Sequence, residues 1–258
     1  MATFLFDDII FGPVKSRRLG ASLGINLLPA STKCCTFNCI YCECGWTGGA
    51  VARSKLPTRE EIRTRLEHKF RQIRDEKALL DRITFAGNGE PTVHPDFAGI
   101  IEDTVYLRNQ CFPDIGIAVL SNASRLDDPN VFYALGRVDM NILKLDSSRD
   151  ETVRLINQPP TGYRVQKVID GMIRFNGRFI LQTMFIRGTI AGKIVDNTTE
   201  EEVRGWLSVV RKVKPSLVMI YTFERDTPVN TLEKAPAETL DAIAGQIRKL
   251  GFPVQVSY

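Results

Sequence analysis

Six short runs rich in apolar and β-branched residues, at 22–28, 83–86, 115–120, 140–145, 179–186 and 217–223, constrain this chain's fold more than any other feature. Several are apolar throughout, as strands buried on both faces of a parallel sheet are. Between them lie segments of helical period. Thr58 and Glu61 fit a capping box ahead of a stripe formed by Ile62, Leu66, Phe70 and Ile73. Thr199 and Glu202 repeat the signature ahead of Val203, Trp206, Leu207, Val210 and Val213. A third stripe, Leu240, Ile243, Ala244, Ile247 and Leu250, stops at Gly251. Strands alternating with helices imply right-handed βαβ units and an α/β fold with a helix-covered parallel sheet. No repeat, low-complexity tract or Gly/Ser linker marks a boundary, so residues 1–258 read as one domain.

In such sheets ligands bind at the carboxyl ends of the strands, and the chemically unusual residues should gather there. They do. A cysteine cluster follows the first run, Gly87-Asn88-Gly89-Glu90 the second and Ser121-Asn122 the third, while Lys144 and Asp146 end the fourth. Five of the six cysteines (Cys34, Cys35, Cys39, Cys42, Cys44) fall within eleven residues. A disulfide framework spreads its cysteines to staple distant segments, so this clustering favours a metal site in a reducing compartment.

Cys35, Cys39 and Cys42 stand in the spacing C-x3-C-x2-C, short enough to wrap one compact cluster. Three thiolates on a four-iron cluster leave one iron open to a ligand. A structural zinc with Cys34 or Cys44 as fourth ligand is the competing reading, but no second ligand pair follows downstream. A thioredoxin-like Cys39/Cys42 pair would explain neither Cys35 nor the glycine loop.

The string CTFNCIYC resembles the three-cysteine signature of radical S-adenosylmethionine (radical SAM) enzymes, including an aromatic, Tyr41, before the third cysteine. GPVKSRRLGASLGINLLP, KCCTFNCIYCECG, GNGEPT, NILKLD, LQTMFIRG and IYTFERDTP extend the likeness to stand-alone iron–sulfur oxidoreductases related to the tRNA wyosine-base synthases. The resemblance implies a partial (β/α)6 barrel of parallel strands. It also implies a [4Fe–4S] cluster on Cys35, Cys39 and Cys42 that reductively cleaves S-adenosyl-L-methionine, giving a 5′-deoxyadenosyl radical. Gly87, Asn88, Gly89 and Glu90 resemble the Gly-Gly-Glu motif that receives the SAM amino group, with Asn88 replacing the middle glycine.

Ser121 and Asn122 suit either a helix cap or hydrogen bonds to the SAM carboxylate or ribose. Lys144 and Asp146 either pair with each other or serve the SAM carboxylate and ribose, since charges in an apolar run are costly without a partner or purpose. Gln182 and Asn197 are further candidate contacts, against the simpler roles of a core amide and a turn residue. Lys15, Arg17 and Arg18 read either as a solvated turn or as cations at the cavity mouth that receive a carboxylate or phosphate.

The composition, 43% hydrophobic and 25% charged, is that of a folded globular protein. A net charge of +4 permits nucleic acid without indicating it. No apolar run reaches the roughly 18–20 residues of a membrane span, and Asp7 and Asp8 soon after Phe4 and Phe6 do not fit a signal peptide. A cytoplasmic protein is expected, with a small-molecule or nucleoside substrate and an electron donor such as flavodoxin or ferredoxin. A glycyl-radical activase acting on a protein partner, or a non-catalytic iron–sulfur or zinc protein, are the alternatives.

Overall fold

Each of the six apolar runs becomes a parallel strand in the computed structural model, which describes residues 4–16, 18–47 and 55–258. They are β2 (Gly20–Ile25), β3 (Arg82–Phe85), β4 (Gly116–Ser121), β5 (Met140–Lys144), β6 (Ile180–Met184) and β9 (Leu217–Tyr221). A short antiparallel strand, β1 (Ile10–Ser16), closes one edge against β2, and a parallel strand, β11 (Val254–Ser257), closes the other against β9. The sheet order β1-β2-β3-β4-β5-β6-β9-β11 curls into a half-barrel with helices on its outer face. Neither edge strand was visible as an apolar run: β1 carries Gly12-Pro13, and β11 has four residues.

The fifth run differs in detail. Rather than one strand over 179–186, β6 ends at Met184, and the chain turns into a second sheet of β7 (Ile186–Ile190), β8 (Lys193–Asp196) and β10 (Leu232–Lys234), ordered β10-β7-β8. Phe185, at the junction, donates its N–H to the Tyr221 carbonyl at 2.8 Å, so the bend keeps its backbone paired.

Among the described residues, seven α-helices connect the strands: α1 (Arg59–Glu76), α2 (Phe97–Cys111), α3 (Pro129–Leu135), α4 (Asp150–Ile156), α5 (Val165–Ile173), α6 (Glu200–Val213) and α7 (Ala237–Lys249). The hydroxyls of Thr58 and Thr199 cap α1 and α6, accepting from the N–H groups of Glu61 (3.1 Å) and Glu202 (3.4 Å). The reciprocal half of each capping box is used otherwise. Glu61 bonds Arg65, and the buried Glu202 accepts from Ser147 and Thr152, fastening α6 to the loop around α4. Apolar faces of the helices join the outer sheet face in one core, where Trp206 packs edge-on to Phe185 and donates to the Leu145 carbonyl at 3.3 Å. Burying a side chain of that kind contributes about 1.5–3 kcal/mol. A smaller cluster, Phe37, Ile40 and Tyr41 against Ile156, Met184, Ile186, Val195 and Tyr221, seats the cysteine loop on the second sheet. Among the described residues no helix is long and apolar enough to cross a membrane.

The β7–β8 hairpin turns through Ala191 and Gly192, both left-handed (φ +47° and +77°), where Ile190 pairs with Lys193. Alanine has no side chain to offset that conformation, and asparagine does. Ala191→Asn is expected to raise stability by about 0.5–1 kcal/mol, read as a higher urea midpoint at unchanged slope.

A candidate cluster and cofactor site

Beyond β2 the chain runs into the cysteine loop, and beyond β3 into Gly87–Glu90, and backbone hydrogen bonds join the two. Cys34 donates its N–H to the Asn88 carbonyl at 2.8 Å, and the Glu90 N–H returns to the Cys34 carbonyl at 3.1 Å. This bridge explains the glycines. Gly89 sits at φ +141°, and a Cβ there would lie 1.9 Å from the Cys34 carbonyl oxygen. At Gly87 a Cβ would come within 2.3 Å of Asn26 Oδ1, which accepts the Asn88 N–H. Both glycines therefore admit a close approach of protein to protein.

Cys35, Cys39 and Cys42 line one cavity of about 280 Å³, whose other walls include Tyr41, Gly87, Gly89, Glu90, Ser121, Asn122, Lys144 and Gln182. Donors converge on the sulfurs: the Phe37 N–H (3.4 Å) and the Asn122 amide (3.7 Å) on Cys35, and the Asn157 amide (3.4 Å) on Cys39. Burial, with the Cys39 and Glu90 charges nearby, pushes the Cys35 thiol up. Burial and the Cys42 charge push Cys39 up to about 11. Cys42 is lowered to about 6, chiefly by the hydrogen bond from Cys44, with burial opposing and the Lys33 ammonium helping. Burial holds Cys35 and Cys39 protonated, a cost that a positive centre would offset, and N–H donors to sulfur are the usual shell of an iron–sulfur cluster. Among the described residues no three metal-binding side chains are gathered tightly enough for a single ion. Three thiols on one cavity wall, two of them with N–H donors, fit a thiolate-bound cluster.

Of the remaining thiols, Cys34 and Cys111 pack against the main core. Cys44 lies on the cavity wall, its sulfur 3.6 Å from the Gly87 carbonyl oxygen.

The Glu90 carboxylate is buried and heavily used. One oxygen accepts from the Thr92 N–H and hydroxyl and the Ser121 hydroxyl, the other from the Asn122 N–H at 2.6 Å. Burial raises its pKa, and these hydrogen bonds oppose the rise. The second oxygen keeps room for one more donor. Ser121 and Asn122 thus organise the glycine–glutamate loop and the Cys35 sulfur. They do not cap the next helix, since Asp128 caps α3.

Three expected cofactor contacts have other roles. Asn88 is fully buried, its amide spent on the Phe6 backbone (2.8 Å to both N and O) and the Pro29 carbonyl (2.9 Å). Asn197 donates to the Asp146 and Met184 carbonyls and accepts the Ile186 N–H, bracing the bend between β6 and β7. Asp146 is a structural hub, with a side chain wholly out of solvent. It accepts from the Tyr41 hydroxyl, the Asn157 amide (2.7 Å) and the Met184 N–H (2.8 Å), and lies 3.7 Å from the Lys144 ammonium. All three side chains stand behind the cavity wall.

Lys144 does reach the cavity. Burial alone would lower its pKa, but the Asp146 carboxylate more than reverses this and keeps the ammonium charged. It donates to the Tyr221 hydroxyl at 2.6 Å and lies over the Tyr41 and Tyr221 rings, a fixed cation suited to a carboxylate. Gln182, 3% exposed, lines the cavity with an amide that has no partner among the described residues. Arg18 closes the cavity from the β1–β2 turn, and Arg17 lies outside the described residues. Asn157, Tyr221 and Lys33 escape the sequence reading. Asn157 follows α4 ahead of Pro159-Pro160 and reads only as a helix stop.

The radical SAM superfamily model matches residues 30–195, spanning the cysteine loop, the glycine loop and β3 through β7. The chain belongs to the radical SAM superfamily. It is 31% identical over 233 residues to a GTPase Obg of Brachyspira hyodysenteriae, covering 88% of this chain and 31% of that protein. It is 32% identical over 219 residues to a UPF0026 protein of Methanocaldococcus jannaschii, covering 83% of this chain and 63% of the relative. The chain thus spans less than two thirds of either relative's length. Among solved structures, a radical SAM methyltransferase from Sphaerobacter thermophilus superposes with TM-score 0.66 at 16% identity, over 92% of this chain and 66% of that one. TYW1 with a lysine-pyruvate adduct bound gives TM-score 0.61 at 14% identity, over 88% and 73%. At these identities the likeness shows a shared fold, the curled half-barrel of this superfamily.

Asp146→Asn replaces an acceptor of three donors by a group whose NH2 faces a donor, and leaves Lys144 unpaired. A loss of about 3 kcal/mol is expected, measured by urea unfolding. Unchanged stability with weakened SAM binding would instead return Asp146 to a direct ligand role.

Proposed function

We propose that this radical SAM protein binds a [4Fe–4S] cluster through Cys35, Cys39 and Cys42 and reductively cleaves S-adenosyl-L-methionine to act on a small-molecule or nucleoside substrate. The observation that carries this reading is the joining of the cysteine loop to the Gly87–Glu90 loop around one cavity lined by all three thiols. Such a cluster, held by Cys35, Cys39 and Cys42, would supply one-electron reductive cleavage of S-adenosylmethionine and, through it, hydrogen-atom abstraction from the substrate. The chain's own residues orient and exclude. Glu90, through its remaining acceptor site, and Lys144 offer opposite charges to the two charged groups of an amino acid, and Gln182 offers a neutral amide between strands. Asn122 and Asn157 steady the sulfurs of Cys35 and Cys39. Phe37, Tyr41, Met184 and Tyr221 wall the site with apolar surface, which limits water near a reactive species. An external one-electron donor such as flavodoxin or ferredoxin completes the cycle in this reading, and the reducing compartment is the cytoplasm.

Anaerobic reconstitution should load about four irons per chain, and the reduced protein should convert SAM to 5′-deoxyadenosine and methionine. Cys35→Ala, Cys39→Ala and Cys42→Ala should each lose the cluster absorption, while Cys34→Ala and Cys111→Ala retain it. Stoichiometric zinc with no iron uptake would refute the assignment.

A further inference from the structure

A second cavity, of about 300 Å³, lies on the inner face of the sheet, deeper than the strand ends. It shares Arg18, Glu43, Leu120 and Gln182 with the thiol-lined cavity, so the two meet around these side chains. Its floor is neutral. Leu120, Ile142 and Met219 are apolar, and the hydroxyls of Ser22 and Thr84 satisfy each other at 2.6 Å. One wall is aromatic: Phe11 lies against Gly24, where a Cβ would come within 2.0 Å of its ring, and stacks on Phe6 at 3.8 Å between centroids.

The charges on the rim do not cancel. Arg225 is paired with Glu43 at 3.0 Å, and Glu224 is already engaged within the protein. Lys15 and Arg18 have no carboxylate partner among the described residues. Arg18 lies at the junction of the cavities, its guanidinium 4.3 Å from the Tyr221 ring centre, and its Nη1 is buried with no hydrogen-bond acceptor among the described residues. A desolvated guanidinium N–H without an acceptor costs free energy that an incoming anion returns.

We propose that this inner cavity binds the substrate, and that the substrate is a small anion with an apolar body, its carboxylate or phosphate held by Arg18 and supported by Lys15. The inference rests on the radical SAM reading above for the word substrate. The anion site stands on the geometry alone. A guanidinium fork matches the paired oxygens of either group, and the aromatic wall receives the rest of the molecule. The volume lies at the small end of ligand pockets, which suits a metabolite and not a folded partner.

The test uses anaerobically reconstituted protein saturated with SAM, and NMR titration with 4-fluorobenzoate, inorganic phosphate and the cation 4-fluorobenzylamine. At least one anion should bind saturably and the cation should not, with the better anion distinguishing a carboxylate from a phosphate site. Arg18→Gln should weaken that anion about tenfold, and Arg18→Lys, which keeps the charge and loses the fork, by less. Failure of both anions to bind wild type, equal binding of the cation, or unchanged affinity in Arg18→Gln would each overturn the proposal. A wild-type protein that takes the anion but shows no SAM-dependent change in its cluster EPR spectrum counts against the radical reading and keeps the anion site.

Discussion

The short backbone ladder between Cys34 and the Asn88–Glu90 segment holds the rest of the site in register. The cysteine loop has little regular structure of its own, and a loop of that kind would ordinarily sample many shapes at an entropic cost of roughly 1–2 kcal/mol for each residue fixed. Borrowing two hydrogen bonds from the neighbouring strand end extends the parallel sheet past its formal limit. Gly89 is indispensable to this because any Cβ would collide with the carbonyl that the ladder uses. Asn26 and Asn88 then supply side-chain amides where the extended backbone has run out of strand partners. The geometry of the thiols is therefore set by ordinary sheet hydrogen bonding carried one turn further.

A second anchor works from the opposite side. Asp146 is a buried charge, and such a group survives only where donors surround it. Here Tyr41 and Asn157 bind one oxygen while Met184 and Lys144 approach the other. Tyr41 and Asn157 belong to the cysteine loop and to the segment after α4, so the carboxylate ties the loop to β5 and β6 at once. Asn157 also donates to Cys39, which couples the thiol's electrostatics to the same network. Lys144 is held charged by Asp146, yet faces the cavity. One buried ion pair thereby braces the scaffold on its acidic side and presents a cation on its other.

Legibility in the sequence followed the physics of each feature. The six central strands were readable because burial on both faces leaves uninterrupted apolar runs, and α1, α6 and α7 because their stripes and stops have a fixed period. The edges were not: β1 carries glycine and proline, and β7 is continuous in composition with β6, so only a three-dimensional bend at Phe185 separates them. For the site, residue types at strand ends single out Glu90, Ser121, Asn122, Lys144 and Gln182, all of which line the thiol cavity. Residue type could not tell a wall from its support. Asn88, Asp146 and Asn197 have the same chemistry as ligand contacts, but backbone groups claim the two asparagines and the Tyr41, Asn157 and Lys144 side chains, with the Met184 N–H, claim Asp146. Asn157 was invisible for the converse reason, since an asparagine before two prolines is sufficiently explained as a helix stop.

The arrangement of cations around Tyr221 links the two cavities physically. Its hydroxyl accepts from Lys144 on the thiol side, while its ring face carries Arg18 at the junction with the inner cavity. Lys144 has its charge compensated by Asp146, whereas Arg18 depends on the aromatic face and leaves a buried N–H unanswered. Two like charges near one ring repel, and in a low-dielectric setting that repulsion is relieved by an anion at whichever cation lacks one. The inner cavity therefore has its own cation in Arg18, while Lys144 serves the thiol side. Gln182, neutral and on the wall of both cavities, can hydrogen-bond into either without adding to the charge.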